Sequence, residues 1–560
     1  MHQCNTVYCL LIVMGSSVSA QTPPLRSEAY RLAEEAYRLQ AEKNLIGALN
    51  LVNTALTKSH DHPQLLALKR DLLYAMGSLA ESDALNESLL AKTPGDGKLL
   101  LFRVYLRQRQ GRLADALEGA EQLGRDTSIS GDDRRQAWLI KADLLGALGK
   151  NAEALRVLDQ LAGEKALDVQ SRRAFLLFSV GQYTSACLAF QSALDLSPDP
   201  IQRRTLLQGQ REAARMANVA EMELKALEEL RGLDRGDHYI ALELAYAYLA
   251  RHRDAEALAE FSMGLDDKSL PGAWLDAAYA AKRLGRNAEA TQYFSRGIDA
   301  RKEAGLTDPQ FDYGLRREVE TLTRSWGLVS GTFYRQGILL PGVASQDKIL
   351  QQGLEAYWQP EVLARNGRMV QVFAQTFENL YSGNAATTGG PTLQGVVGVR
   401  AKPFVSENVV LTAERLVALG GRSLNDWMFR AAYSRDSGLD LRPWDQDWNY
   451  WSLFTEGATF ASTGHYVHQV EVRAGHSWRL GTGEGRDVLS PHLVLAGDFD
   501  NRLDPRTAGG FGLGASIRHW FREDSHRAPA SWLELTLQSR AQVGSATRDK
   551  GFFLILAGWF

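Results

Sequence analysis

Residues 467–474 read VHQVEVRA, a run in which side chains of different character alternate from one residue to the next. Val470 and Val472 share one face of such an extended segment, because successive side chains point to opposite sides. Glu471 and Arg473 share the other face. Counting this one, twelve runs of this kind begin near residues 327, 353, 369, 392, 408, 426, 448, 466, 489, 510, 531 and 551. Apolar faces set opposite charged faces in runs of about 10 residues are typical of membrane barrels. The sequence therefore predicts an antiparallel outer-membrane β-barrel of about twelve strands.

A soluble β-sandwich would show the same alternation, so the barrel rests on three further features. The polar face carries full charges of both signs, as a water-filled interior requires. Trp and Tyr lie near the ends of the runs, as they do in the aromatic girdles of membrane barrels. The last run, GFFLILAGWF at 551–560, ends in an aromatic residue and places Phe552, Leu554 and Leu556 on one face. The predicted barrel domain is residues 321–560.

The charged face predicts the lining of a lumen. Arg and Glu on neighbouring strands pair with one another, and rings of such charges set what can pass. The predicted lumen-lining residues are Arg400, Glu414, Arg430, Glu471, Arg473, Arg518, Glu534 and Arg540.

Aromatic residues crowd one loop and the start of one run, at Trp444, Trp448, Tyr450 and Trp451. Such rings can stack on the faces of sugars, or they can pack as a girdle or a plug. Three segments rich in turn residues, 382–391, 435–447 and 500–510, are predicted to be external loops of the barrel.

The first part of the chain is rich in Ala, Leu, Glu and Arg, which favours helix. A repeated spacing places an alanine five residues after a glycine and an apolar or aromatic residue four further on. Good copies are Gly149–Ala154–Leu158, Gly181–Ala186–Phe190 and Gly285–Ala290–Phe294. This pattern resembles the tetratricopeptide repeat, a helix–turn–helix unit of about 34 residues. The sequence predicts a solenoid of about eight helix pairs over residues 28–320, whose stacking makes the core and leaves a concave groove.

The N-terminus has the pattern of a secretory signal peptide. Residues 7–14, VYCLLIVM, are followed by small residues up to Ala20, and the apolar run is too short to span a bilayer. We expect a signal peptide at 1–20 and a linker at 21–27, the alternative being a buried N-terminal helix. The mature chain would then retain one cysteine, Cys187, so no intrachain disulfide can form.

Several functional classes find no support. The net charge of -3 offers no basic surplus for nucleic acid. Neither the Gly-x-Ser-x-Gly motif of a serine hydrolase nor the spacing of a metal site occurs. A glycosidase would need two acids about 5–9 Å apart, whereas the interleaved arginines favour an ion-paired lumen. We therefore predict a protein that is not an enzyme and that has no catalytic residue, cofactor or metal.

Six segments of the last part carry a family resemblance. They are GLEAYWQP (353–360), TLQGVVGVRAKPF (392–404), AERLVALG (413–420), NDWMFRAAYS (425–434), LRPWDQDWNYWSLFTEGATF (441–460) and RHWFREDSHRAPASWLELTLQSR (518–540). This part resembles the C-terminal domain of the NfrA family, phage adsorption proteins of enterobacterial outer membranes. The whole plan is similar to that of exopolysaccharide export porins, in which periplasmic repeats precede a barrel. The resemblance implies residence in the outer membrane, polysaccharide secretion and pairing with an inner-membrane glycosyltransferase.

Together these features predict an outer-membrane component of exopolysaccharide secretion that a phage can also use as its receptor. The barrel, set in outer-membrane lipid, would be the export channel. The repeats would lie in the periplasm and dock an export partner or guide the polysaccharide. The alternative is a plugged barrel that anchors a periplasmic protein-binding scaffold for envelope assembly. A glycan-trimming enzyme is a third hypothesis.

Overall fold

The structure, a computed structural model, describes residues 25–161, 163, 165–334, 348–360, 363, 368–383, 387–481 and 485–560. The predicted signal peptide and most of the predicted linker lie outside the described residues. The chain forms two compact units, Met1–Asp234 and Arg235–Phe560. The sequence did not predict that the last helices group with the barrel, because its composition changes only where helix gives way to strand.

The first unit consists of six helix pairs in the part of it that is described. Their bounds are α1 Ser27–Ala41, α2 Leu45–Lys58, α3 Pro63–Met76, α4 Leu79–Lys92, α5 Gly97–Arg109, α6 Leu113–Arg125, α7 Gly131–Ala147, α8 Asn151–Leu161, α9 Leu167–Ser179, α10 Tyr183–Leu194, α11 Pro200–Met216 and α12 Ala220–Leu233. Gly149 and Gly181 take positive φ angles of 74° and 78° just after the first helix of a pair, the conformation that ends helices with glycine. Ala186 and Phe190 are fully buried on the second helix. The predicted repeat pattern is confirmed.

The second helix pair departs from this pattern because its core contains a polar network. Arg70 donates from Nη1 to Asn86 Oδ1 at 3.1 Å, and Asn86 Nδ2 donates to the carbonyl oxygen of Leu99 at 3.2 Å. Ser82 Oγ donates to the carbonyl oxygen of Arg70 at 3.0 Å. The guanidinium also lies 3.8 Å from the ring centroid of Phe102. Buried polar groups cost little when they are hydrogen-bonded, so this degenerate repeat still stacks.

The second unit begins with five helices: α13 His238–Leu249, α14 Asp254–Gly264, α15 Pro271–Arg283, α16 Asn287–Glu303 and α17 Pro309–Thr323. Ala290 and Phe294 are fully buried and repeat the packing seen in the first unit. Within the described ranges the chain thus has eight helix pairs and one further helix, α17. The sequence predicted about eight pairs.

Twelve strands follow and close into a barrel. They are β1 Trp326–Tyr334, β2 Ile349–Trp358, β3 Met369–Ser382, β4 Gln394–Lys402, β5 Asn408–Ala418, β6 Asp426–Ser437, β7 Asp447–Phe460, β8 Tyr466–Leu480, β9 Asp487–Asp500, β10 Thr507–Phe521, β11 Ser531–Val543 and β12 Gly551–Trp559. Each strand pairs antiparallel with its neighbours in sequence, and β1 pairs with β12. The barrel prediction is confirmed, and the β-sandwich alternative is wrong because the sheet closes on itself.

The two faces of the barrel differ as the alternation predicts. Outward side chains such as Leu493, Phe511 and Leu513 are 64%, 55% and 67% exposed. Inward side chains on the same strands, such as Val494, are buried. An outer surface that carries so many exposed apolar side chains suits hydrocarbon rather than water. Separately, none of the described helices has the length and apolar character needed to cross a bilayer.

The antiparallel order divides the barrel's connections between two ends. The helix-proximal end carries α17, the start of β1 and the connections after even-numbered strands. The distal end carries the connections after odd-numbered strands. Segments 382–391 and 500–510 lie at the distal end, but 435–447 joins β6 to β7 at the helix-proximal end. The prediction that all three are external is therefore wrong, because length and composition do not reveal which end a loop occupies.

Candidate functional site: the charged interior of the barrel

The inward faces of the strands gather buried charged residues. Arg400, Glu414, Arg430, Glu471, Arg473, Arg518, Glu534 and Arg540 all lie at inward positions and join ion pairs there. The structure thus brings all eight predicted lumen-lining residues into the interior, in two clusters.

The first cluster lies on strands β2 to β7. Arg400 on β4 pairs with Glu355 on β2 at 2.7 Å, reaching past the intervening strand β3. Arg430 on β6 lies 2.9 Å from Glu414 on β5 and 3.6 Å from Glu456 on β7. One arginine therefore links three neighbouring strands from the inside.

The second cluster lies on strands β8 to β11. Arg473 pairs with Glu471 on β8 at 2.6 Å, and Arg518 on β10 pairs with Glu534 on β11 at 2.6 Å. Arg540 on β11 donates to Glu471 Oε2 at 2.5 Å. Strands β9 and β10 separate these two residues in the sheet, so this ion pair runs across the interior rather than along the wall.

A glycine on β10 makes room for the second cluster. A Cβ atom added at Gly514 would lie 2.5 Å from His492 Nε2 and 2.7 Å from Gln538 Cγ. Gln538 in turn accepts a hydrogen bond from Arg540 Nε at 2.9 Å. Any side chain at Gly514 would displace this network. The alternation predicts the inward face here, but it does not show that glycine is required.

The arrangement supports paired charges rather than acid–base chemistry. The cost of burying ions falls only when partners and hydrogen bonds are in place, as they are in both clusters. Sequence analysis missed Glu355, although its alternation with Leu354 and Ala356 places it on the inward face. No group of three His, Cys, Asp or Glu side chains among the described residues is arranged to hold a metal ion.

The predicted aromatic patch divides between the two faces of β7. Trp448 and Tyr450 point inward and are buried, 6% and 4% exposed, against Tyr313 of α17. Trp444 lies with its ring centroid 5.5 Å from that of Tyr313. Trp451 points outward and is 41% exposed. The burial of the two inward rings favours the packing interpretation at these positions.

Near the distal end two carboxyl groups and an arginine lie together. Arg548 donates from Nε to Asp498 Oδ1 at 2.6 Å. Asp549 lies in the loop after β11, where burial and then the charge of Asp498 raise its pKa from 3.8 to about 6.

Because of this raised pKa, we expect the loop that contains Asp549 to be more stable at low pH than at high pH. Because the pKa of Asp549 is higher in the folded than in the unfolded protein, its protonated carboxyl group stabilises the fold. This contribution is complete below pH 3.8 and is lost as the pH rises through about 6. We expect Asp549→Asn to stabilise the protein by on the order of 1 kcal/mol at about pH 8 and to have little effect at about pH 4. Unfolding in detergent micelles measures both values, and an equal effect at the two pH values would contradict the assignment.

Comparison with known proteins bears on each part of the chain. Residues 385–556 match the family model described as Bacteriophage N adsorption protein A C-term. No curated protein matches the chain.

Solved structures resemble the helical part. A tetratricopeptide repeat protein from Parabacteroides merdae is 18% identical, over 43% of this chain and 96% of its own, with a TM-score of 0.30. The C-terminal part of a TPR repeat-containing protein from Cytophaga hutchinsonii is 15% identical over 42% and 96%, with a TM-score of 0.33. PilW, a type IV pilus biogenesis factor, is 13% identical over 37% and 94%, with a TM-score of 0.31. These likenesses carry no functional information.

The match to the family model covers β4 to β12 except for the last residues of β12. A closed barrel with an apolar outer face and a phage adsorption family both fit an outer-membrane protein. Over residues 385–556 the barrel is similar to the NfrA C-terminal domain, and tetratricopeptide-type helix pairs precede it in the chain.

Proposed function

We propose that the protein is the outer-membrane conduit of an exopolysaccharide secretion system. The observation that carries this proposal is a closed twelve-stranded barrel that is apolar outside and charged inside. Helix pairs join it directly through α17. Twelve strands enclose more space than eight-stranded barrels, which side chains fill, and less than porins, which keep an aqueous channel. Such an interior suits one extended chain that exchanges hydrogen bonds with ionic side chains.

The helix pairs are proposed to lie in the periplasm. Their stacked array offers a protein-binding scaffold, and the partner we propose is an inner-membrane glycosyltransferase that makes the polymer. In this arrangement the chain itself performs no catalysis, and passage of the polymer is passive. The distal loops would face the outside, where a phage can also attach.

A second function, a barrel that only anchors the scaffold, is favoured by one specific observation. The Arg540–Glu471 pair crosses the interior, and the side chain of Arg540 is only 2% exposed. An interior held together in this way would block a polymer unless it opened.

Secretion in cells tests the first function. We expect deletion of the gene to reduce cell-surface exopolysaccharide, and the full chain to restore it. The double variant Glu471→Ala with Arg540→Ala should still support secretion if the interior conducts the polymer, because it removes an obstruction. Leu513→Ala, on the outer face of β10, is the matched control. Unchanged surface polysaccharide after deletion would overturn the proposal.

A further inference from the structure

We propose that helix α17 is a lid that closes the helix-proximal mouth of the barrel. Tyr313 of α17 is only 6% exposed and packs in one apolar cluster with Trp448, Tyr450 and Trp520. These three side chains belong to inward faces of β7 and β10. A helical side chain thus inserts among residues that line the interior.

Two barrel loops hold the lid by polar contacts. Arg317 Nη2 lies 3.0 Å from Asp440 in the loop 438–446. Arg316 Nη2 lies 2.7 Å from Glu523 in the loop 522–530, and Arg316 accepts a backbone hydrogen bond from Ala528 at 3.1 Å. The two loops follow β6 and β10, which are separated by three strands, so α17 bridges the mouth rather than resting on one edge.

The loop 438–446 is itself tied to the interior. Arg518, a member of the second ion cluster, donates from Nη1 to the carbonyl oxygen of Leu439 at 3.0 Å. Leu441 of the same loop is buried in the cluster around Tyr313. The lid and the charged interior are therefore connected through one loop, so that displacing the loop disturbs both.

The contacts that hold α17 in place differ in exposure. Asp440 is 57% exposed, and ion pairs of this kind contribute little in water. The hydroxyl of Tyr313 is buried, and no hydrogen-bond partner for it occurs among the described residues. A hydroxyl that leaves water without gaining a partner opposes burial. Closure thus combines the apolar cluster around Tyr313 with the ion pairs of Arg316 and Arg317, and a shift of α17 would break both.

The lid also has a mechanical connection to the helix pairs. Arg301 of α16 pairs with Asp312 of α17 at 2.8 Å, and His526 of the loop 522–530 pairs with Asp299 of α16 at 2.9 Å. A ligand that shifts α16 relative to the barrel would therefore pull α17 and the loop together. The lid is a regulatory addition to the proposed conduit and rests on that function.

Conductance of the full chain in planar bilayers tests the lid. We expect Tyr313→Ala to raise the fraction of time spent conducting by about tenfold or more, because closure loses its main apolar contact. Tyr313→Phe should lower that fraction by a few-fold, because it removes the unpartnered hydroxyl. Tyr239→Ala changes a tyrosine of α13 that is 61% exposed, and it is the matched control.

Charge reversal provides an independent variant. Arg317→Asp should increase conduction, and Arg317→Asp combined with Asp440→Arg should restore closure. Folding of every variant is checked by heat-modifiable migration in gels. Equal conduction by wild type, Tyr313→Ala and Arg317→Asp would overturn the lid and leave the conduit standing. Silence from all the folded variants would overturn the conduit as well as the lid.

Discussion

Replacing Glu471 with alanine is expected to destabilise the barrel by about 3–5 kcal/mol, the usual cost of removing one partner of a buried ion pair. Glu471 accepts from both Arg473 and Arg540, and its loss leaves two buried guanidinium groups without their carboxylate. Denaturant unfolding in detergent micelles, followed by tryptophan fluorescence, measures the loss. The effect exceeds that of an ordinary surface ion pair because the side chains of Glu471, Arg473 and Arg540 are only 15%, 18% and 2% exposed.

The control for this change is Leu513→Ala, whose side chain points outward and is 67% exposed. Detergent replaces the lost contacts there, so its effect should stay below about 1 kcal/mol. Replacing both Glu471 and Arg540 by methionine should recover part of the stability, because buried ion pairs often yield to apolar residues at no net cost. An effect of Glu471→Ala no larger than that of the control would show that the interior is open to water at this level.

Replacing Phe190 with alanine is expected to destabilise the helical array by about 3–5 kcal/mol. Phe190 is fully buried, and its ring meets that of Phe175 edge-on with centroids 4.9 Å apart. Gly209 of the next helix pair approaches so closely that a Cβ there would lie 2.5 Å from the ring. The cavity would therefore open between two helix pairs and weaken their stacking. Thermal loss of the helical circular dichroism signal of the full chain measures it.

The matched control lies two residues earlier on the same helix. Leu188 is 63% exposed, so Leu188→Ala removes little buried contact and should change stability by less than about 0.5 kcal/mol. Since each helix pair contacts its neighbours in sequence, the damage from Phe190→Ala should spread to nearby pairs first. Equal effects of the two changes would contradict the packing described here.

The regular parts of the fold were predictable because each has its own period. Alternation along β8 and β10 identified their inward and outward faces, and the spacing from Gly181 to Phe190 identified a helix pair. Arg70 in the second pair shows the limit of such patterns. It stands among the buried residues of a helix, and its contacts with Asp71, Asn86 and Phe102 make that placement stable.

The sequence predicts which residues of the candidate site point inward, because side chains alternate between the two faces of a strand. Inward positions such as Glu534 and Arg540 follow from alternation alone. Alternation does not predict which inward residues form ion pairs with each other. Arg540 and Glu471, for example, meet across two intervening strands. The aromatic residues show the same limit: Trp448 looks available to a ligand in the sequence, whereas Tyr313, from a distant helix, covers it in the fold. Contacts between distant segments have no local signature.

The alternation of the strand connections also bears on how this protein evolves. The two described turns that contact α17, 438–446 and 522–530, both follow even-numbered strands and lie at one mouth, whereas the turns after odd-numbered strands belong to the other mouth. Under the proposed function the remote turns face the outside, and substitutions can accumulate there at little structural cost. The turns beside α17 must change in step with the helix, so relatives should diverge fastest on one rim and slowest on the other.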